Sequence, residues 1–253
     1  MTPLLQVRAL RVAYGAGPFW RRRPVPVVRD VSFDVGRGEI VGLIGESGSG
    51  KSTIARAIVG LAPVSGGEIL LAGERGVAPR RAQMIFQDPF ASLDPRMTVG
   101  AQLAEILAIH GLAAPAARRS RVVALLERVG LSEAACDRLP RAFSGGQRAR
   151  IGIARALAAE PELLIADEAT AALDISVQAQ VLNLLLDLRD ELGLAVLFIT
   201  HDLAVVRVLC DRALVLRRGE VVEAAETATL FAAPRHDDTR ELLAAHRPAG
   251  GSA

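Results

Sequence analysis

The chain has 253 residues, 51% of them hydrophobic, and a formal net charge of +2. No uninterrupted apolar run reaches the roughly 20 residues of a membrane-spanning helix, so a mean hydropathy of +0.30 points to buried strands. The charge is too small to argue for nucleic acid on its own, and the isolated Cys136 and Cys210 fit neither a metal spacing nor a disulfide framework. No charged segment followed by an apolar one opens the chain, so the expectation is a soluble protein without a signal peptide that stays in the cytoplasm.

Val7–Ala13 and Val31–Val35 read as strands ahead of a turn at Gly36–Gly38. The run Glu39–Ile44 reads as a buried strand, followed by a Gly-rich loop and a helix from Lys51 to Leu61. Gly66–Gly67 reads as a turn into the strand Glu68–Leu71, and Gly73–Arg81 as a loop. From Met97 to Leu139 the pattern turns helical, with apolar residues at three- and four-residue spacing in Gln102–Ile109 and Arg119–Val129. Ser144–Ala158 then predicts a helix, Leu163–Ala166 a strand, Val177–Asp190 an amphipathic helix and Ala195–Ile199 a strand. Ala204–Cys210 predicts a helix, and Ala213–Leu216 with Glu220–Glu223 a hairpin. Alternating strands and helices imply a parallel sheet covered on both faces, with a helical insertion. The tail after Arg247 is expected to be disordered.

Three motifs carry chemistry. Gly45, Glu46, Ser47, Gly48, Ser49, Gly50, Lys51, Ser52 and Thr53 match G-x-x-x-x-G-K-[ST] between a strand and a helix. The glycines let successive N–H groups curl around a β-phosphate at a helix N-terminus. Lys51 would bridge the β- and γ-phosphates, and the Ser52 hydroxyl would ligate Mg²⁺. Lys51 is also the only lysine in the chain. Arginine serves everywhere else, so this position demands a compact ammonium. Leu163–Glu168 is an apolar strand ending in two carboxylates. Asp167 would hold Mg²⁺ through water, and Glu168 would accept a proton from attacking water. Ser144, Gly145, Gly146 and Gln147 open a helix with a capping serine and two glycines, a second phosphate-binding terminus. It makes sense if it serves the γ-phosphate held by another copy.

The ordered set Gly45–Thr53, Gln87, Ser144–Gln147, Asp167–Glu168, Ala172–Asp174 and His201 resembles an ABC ATPase over nearly the whole chain. The resemblance implies an α/β P-loop NTPase with a RecA-like parallel-sheet core, an antiparallel β subdomain and an inserted helical subdomain. It divides the chain into a nucleotide-binding core (1–88 and 159–225), a helical subdomain (89–158) and a C-terminal extension with a flexible tail (226–253). It makes Gln87 the lid residue that senses the γ-phosphate and Mg²⁺, Asp174 the residue crossing to a partner, and His201 a contact to the γ-phosphate. Tyr14, the only tyrosine, resembles the aromatic that stacks on adenine, with Phe19 and Trp20 as neighbouring competitors.

More narrowly, Gln83–Val99, Asp174–Leu186, Leu197–Val206 and Phe231–Leu243 resemble the peptide/nickel importer branch, and Tyr14–Pro26 the second of its two paired ATPases. Departures are His236-Asp237-Asp238 where His-Pro-Tyr is usual, Ala169 and Ala171 where Pro and Ser are usual, and a short loop before Gln83. The cargo implied is a peptide, a nickel or metallophore complex, or glutathione. ATP and Mg²⁺ are the implied cofactors. The implied partners are transmembrane permease subunits gripped near Asp88–Pro95, a homologous ATPase or second copy, and indirectly a substrate-binding protein. Nucleic acid is not among them. The implied location is the cytoplasmic face of the membrane. A P-loop GTPase is excluded because its N-K-x-D needs a second lysine. A non-transport ABC ATPase acting on DNA or ribosomes is the rival reading, and the run Arg21–Arg23 is the one feature that favours it.

Overall fold

The computed structural model describes residues 3–16, 23–86 and 93–245. In chain order the elements are β1 (Leu5–Ala16), β2 (Arg23–Val35), β3 (Ile40–Ile44), α1 (Lys51–Ile58), β4 (Val64–Leu71) and β5 (Glu74–Arg75). There follow β6 (Ala82–Ile85), α2 (Val99–Ile109), α3 (Arg118–Arg128), α4 (Gly145–Leu157), β7 (Leu163–Asp167) and α5 (Ile175–Leu192). The chain ends with β8 (Ala195–Ile199), α6 (Leu203–Leu209), β9 (Arg212–Arg217), β10 (Glu220–Glu226), α7 (Thr227–Ala232) and α8 (Asp237–Ala245). Two compact units form, one from Met1–Val77 with Ala195–Ala253 and one from Ala78–Leu194. This grouping puts β7 and α5 with the helices, where the boundaries at 88/89 and 158/159 put them with the nucleotide-binding core.

In the first unit, β3 pairs in parallel with β8 on one side and β9 on the other, and β10 closes the edge antiparallel to β9. Every residue of β3 and β8 is buried, as unbroken apolar runs in a parallel sheet require. A second, antiparallel sheet runs β2–β1–β4–β5. Its register slips between Arg8 and Arg11, opposite Gly66 and Gly67. Here the structure corrects the expected turn at Gly66–Gly67. The strand continues through both glycines as a bulge, because Gly67 at φ 81° lies so close to the Ala9 carbonyl that a Cβ would meet its oxygen at 2.2 Å. The expected loop at Gly73–Arg81 contains the short β5, and the first helix stops at Ile58 rather than Leu61.

In the second unit, β6 and β7 form a parallel pair, and α2, α3 and α4 pack on one another through Leu103, Leu107, Leu126, Ile151 and Ile153. Helices α2 and α5 begin where the sequence supplies a capping side chain, whereas α3 starts at Ala117 without one. Thr98 accepts from the Ala101 N–H to open α2, and Asp174 accepts from the Val177 N–H to open α5. Among the described residues no helix is long and apolar enough to cross a membrane.

Candidate functional site

The first unit places the Gly-rich loop between the end of β3 and the start of α1. Gly50, at φ 111°, occupies the N-cap of α1 and offers no side chain to it. The N–H groups of the first turn therefore point at whatever lies before the helix. Lys51 is 5% exposed, an unusual place for an ammonium. It donates from Nζ to the carbonyl oxygens of Gly45 at 2.8 Å and Glu46 at 2.9 Å. The buried Ser49 Oγ has no hydrogen-bond partner among the described residues. A curled backbone, an ammonium at its centre and an orphaned hydroxyl suit a phosphate chain with several acceptor oxygens. Ser52 and Thr53 follow, half-buried, in the first turn of α1.

His201 sits on the same sheet edge. Leu43 of β3 pairs with Ile199 of β8, so the loops after both strands leave the sheet at its C-terminal edge, where open α/β sheets bind ligands. The His201 side chain is exposed, and its turn is fixed from both sides. The Asp202 N–H donates to Thr200 Oγ1 at 2.9 Å, while Asp202 Oδ1 caps α6 through the Ala204 N–H at 2.9 Å. Tyr14 lies on β1 opposite Val25 of β2, 38% exposed. Phe19, Trp20 and Gln87 lie outside the described residues, as do residues 88–92 of Asp88–Pro95, the start of Arg21–Arg23 and the expected tail.

In the second unit, β7 delivers Asp167, only 6% exposed, and then Glu168. Glu168 takes a left-handed backbone at φ 50°, a conformation that costs a non-glycine residue about 1 kcal/mol or more. The turn that holds it is tight. The Ala171 N–H donates to the Glu168 carbonyl at 3.1 Å, and the Leu173 N–H to the Thr170 carbonyl at 3.2 Å. Asp174 Oδ1 accepts from the Val177 N–H at 2.9 Å and the Ser176 hydroxyl at 2.7 Å, and the first of these bonds chiefly holds its carboxyl below the usual aspartate value. The side chain is thus engaged in opening α5.

Ser144 and Gln147 form a reciprocal capping box at the start of α4. The Gln147 N–H donates to Ser144 Oγ at 3.3 Å, and the Ser144 N–H donates to Gln147 Oε1 at 3.0 Å. Gly145 and Gly146 between them bring no side chain over the helix end. Gly146 has a second duty that the sequence alone did not reveal. A Cβ there would meet Val177 Cγ1 of α5 at 2.2 Å. One turn on, Arg150 donates to Gln180 Oε1 at 2.7 Å. Helix α4 is therefore seated on the helix that Asp174 opens. Among the described residues no cluster of three or more His, Cys, Asp or Glu could hold a metal ion.

Comparison with known proteins gives a consistent pattern. The profile of the ABC transporter family matches residues 28–171. A protein of Brucella ovis, named as a peptide import ATP-binding protein, is 49% identical over 253 residues, covering 96% of this chain and 78% of its own. The glutathione import ATP-binding protein GsiA of Salmonella typhi is 49% identical over 266 residues, covering 97% of this chain and 43% of its own. Among solved structures, an ATP-binding cassette captured as a dimer with ADP and Pi superposes with a TM-score of 0.77 at 28% identity, covering 88% of this chain and 98% of that one. CbiO1 of Clostridium perfringens, part of the transporter complex cbiONQ, gives 0.78 at 27% identity over 92% of both chains.

Proposed function

The chain belongs to the ABC transporter family, and we propose that it is the ATP-hydrolysing subunit of an importer for peptides or a related small solute such as glutathione or a metal complex. The single observation that carries the nucleotide assignment is Lys51. The only lysine in the chain is buried, with its ammonium on two carbonyls of a loop that leads into an uncapped helix. That ammonium is poised to exchange carbonyl partners for β- and γ-phosphate oxygens. The cargo class rests on the names of relatives at 49% identity.

In this reading Gly45–Thr53 cradle the phosphates and Tyr14 stacks on the adenine. Ser52 would hold Mg²⁺, with Asp167 acting through water, and the ion would neutralise charge on the phosphates. Glu168 takes the proton of the attacking water. His201 and Gln87 position the γ-phosphate. Ser144–Gln147 serve the nucleotide of a second copy or homologous partner, and Asp174 stands at that junction. Residues 89–158 act as a moving helical subdomain against a core of 1–88 and 159–225, with 226–253 as a C-terminal extension. Permease subunits engage the segment around Asp88–Pro95, and a substrate-binding protein delivers the cargo to them. The chain works as a peripheral subunit on the cytoplasmic face of the membrane.

The test is Glu168→Gln. The amide cannot accept a proton, so hydrolysis should fall by about 100-fold or more while ATP still binds. The variant should then elute with ATP as a dimer on size-exclusion chromatography, alone or mixed with its paired homologue. Hydrolysis within a few-fold of the unaltered chain, about 1 kcal/mol in barrier height, would remove Glu168 from this role.

A further inference from the structure

Arg217, the last residue of β9, is shared by two carboxylates of α8. Its Nη1 donates to Asp238 Oδ1 at 2.5 Å and to Glu241 Oε2 at 2.9 Å. The two acids lie three residues apart and so share one face of the helix. Glu223 of β10 fastens the entry to the same helix, its carboxylate accepting the N–H groups of Arg235 at 2.8 Å and His236 at 2.9 Å. Thr239 is fully buried beneath. Both strands of the β9–β10 hairpin are therefore tied to α8.

The same hairpin is the outer wall of the nucleotide loop. A Cβ on Gly45 would meet the Leu216 carbonyl oxygen at 2.1 Å, and one on Gly50 would touch the Leu216 side chain at 3.6 Å. At the hairpin turn, the Gly219 N–H donates to the Ser49 carbonyl at 2.9 Å. Gly45, Glu46, Arg217, Asp238 and Leu242 line one narrow crevice. The hydrogen bond to Glu241 is the main cause that holds the Arg217 guanidinium above its ordinary value, and the charges of Asp238, Glu241 and Glu46 act in the same direction.

We propose that Arg217 is a positioning residue for the nucleotide loop, gripped by Asp238 and Glu241 so that the C-terminal helix sets the affinity of Gly45–Thr53 for ATP. The proposal rests on reading that loop as the ATP site. Gly45, Gly48 and Gly50 all have positive φ, so the loop backbone has little steric restraint of its own. Its order comes from what it leans on. A wall held by two carboxylates keeps the N–H groups converged before the nucleotide arrives, and a loosened wall lowers affinity by the fraction of time they diverge.

The experiment uses the full chain with Asp238→Asn and Glu241→Gln together, Arg217→Gln, the conservative Asp238→Glu, and all three amide changes combined. ATP affinity is read by titration with a fluorescent ATP analogue and Mg²⁺, turnover by phosphate release, and folding by thermal melting. The paired amide variant should raise Kd and KM by about three- to tenfold, leaving kcat within about twofold. Asp238→Glu should stay near the unaltered chain. The triple variant should be no weaker than Arg217→Gln, because the partners act only through the guanidinium. A lower melting temperature with unchanged Kd in the paired amide variant overturns the proposal and leaves α8 a structural brace. If Arg217→Gln fails to fold, the paired amide variant still decides the matter. Failure of the unaltered chain to bind MgATP overturns the reading of the loop itself, a different result from intact binding that ignores the latch.

Discussion

Replacing Gly146 by alanine separates two things that one glycine does. The new Cβ would stand 2.2 Å from Val177 Cγ1, whereas carbon atoms pack at about 3.5–4.0 Å. Helices α4 and α5 must then part by about 1.5 Å, or Val177 must leave the χ1 rotamer that a β-branched side chain strongly prefers in a helix. Overpacking of this kind costs about 1–3 kcal/mol. Removing a glycine from a helix returns about 0.5–1 kcal/mol. The net loss expected is about 1–2 kcal/mol, or roughly 3–6 °C in melting temperature for a chain of this size. Val177→Ala takes away the clashing methyl, so in that background the same substitution should be nearly neutral, with a coupling of about 1 kcal/mol. Urea denaturation and thermal melting of the four proteins measure this cycle, and phosphate release from the same samples measures turnover. The double variant should regain stability without regaining hydrolysis, because a methyl still stands beside the N–H groups at the start of α4. An equal loss of stability from Gly146→Ala in both backgrounds would refute the packing argument.

Lys51→Arg should weaken ATP binding by about tenfold or more, since the planar guanidinium cannot sit where Nζ meets two carbonyls. Near-normal affinity and turnover in that variant would sink the lone-lysine argument. Burial pushes the Glu39 carboxyl upward, but the hydrogen bond from Arg212, the Gly36 N–H and the arginine charge outweigh it, and its pKa lies below 4.5. A depressed carboxylate stabilises the fold fully above its unfolded value and loses that contribution as pH falls through its folded value. Urea titrations should therefore show Glu39→Gln less stable by about 1 kcal/mol at pH 7, with the gap closing below pH 4.5; a gap that persists in acid would show that packing, not charge, is responsible.

The parts legible in the sequence are those whose cause is local. Gly45–Thr53 could be read because one short stretch holds the strand end, the loop glycines and the helix start. The capping serine and two glycines of Ser144–Gln147 likewise lie within four residues, and Asp167, which ends β7, and Glu168, which follows it, announce themselves by ending an apolar run. Strand β6 escaped because four residues with a single polar position, Gln83, are too few to show a period, and its order comes from pairing with β7. Gly66–Gly67 misled for a related reason. Two adjacent glycines usually mark a turn, and only the approach of the Ala9 carbonyl shows that they mark a bulge. Cys210 fits no metal or disulfide pattern in the sequence, and burial against Gly42 pushes its thiol up to about 12.

Arg217, Asp238 and Val177 were invisible for the opposite reason, because their partners lie far along the chain or on another helix. None of them belongs to a proposed phosphate-binding motif, yet each stands behind a glycine that does. Gly45 gives up its Cβ to the Leu216 carbonyl, and Gly146 gives up its Cβ to Val177. A motif glycine has two faces, one turned to the ligand and one to a neighbouring element, and a sequence pattern describes only the first. The second face fixes what each proposed phosphate-binding terminus is mechanically joined to. For the Lys51 loop it is the β9–β10 hairpin and through Arg217 the C-terminal helix. For the Ser144 helix it is α5, which opens at Asp174. Two chains with identical nucleotide motifs can therefore differ in ATP affinity through residues that never touch ATP. In this chain Asp238, standing where tyrosine is usual in the importer branch that it resembles, is such a residue.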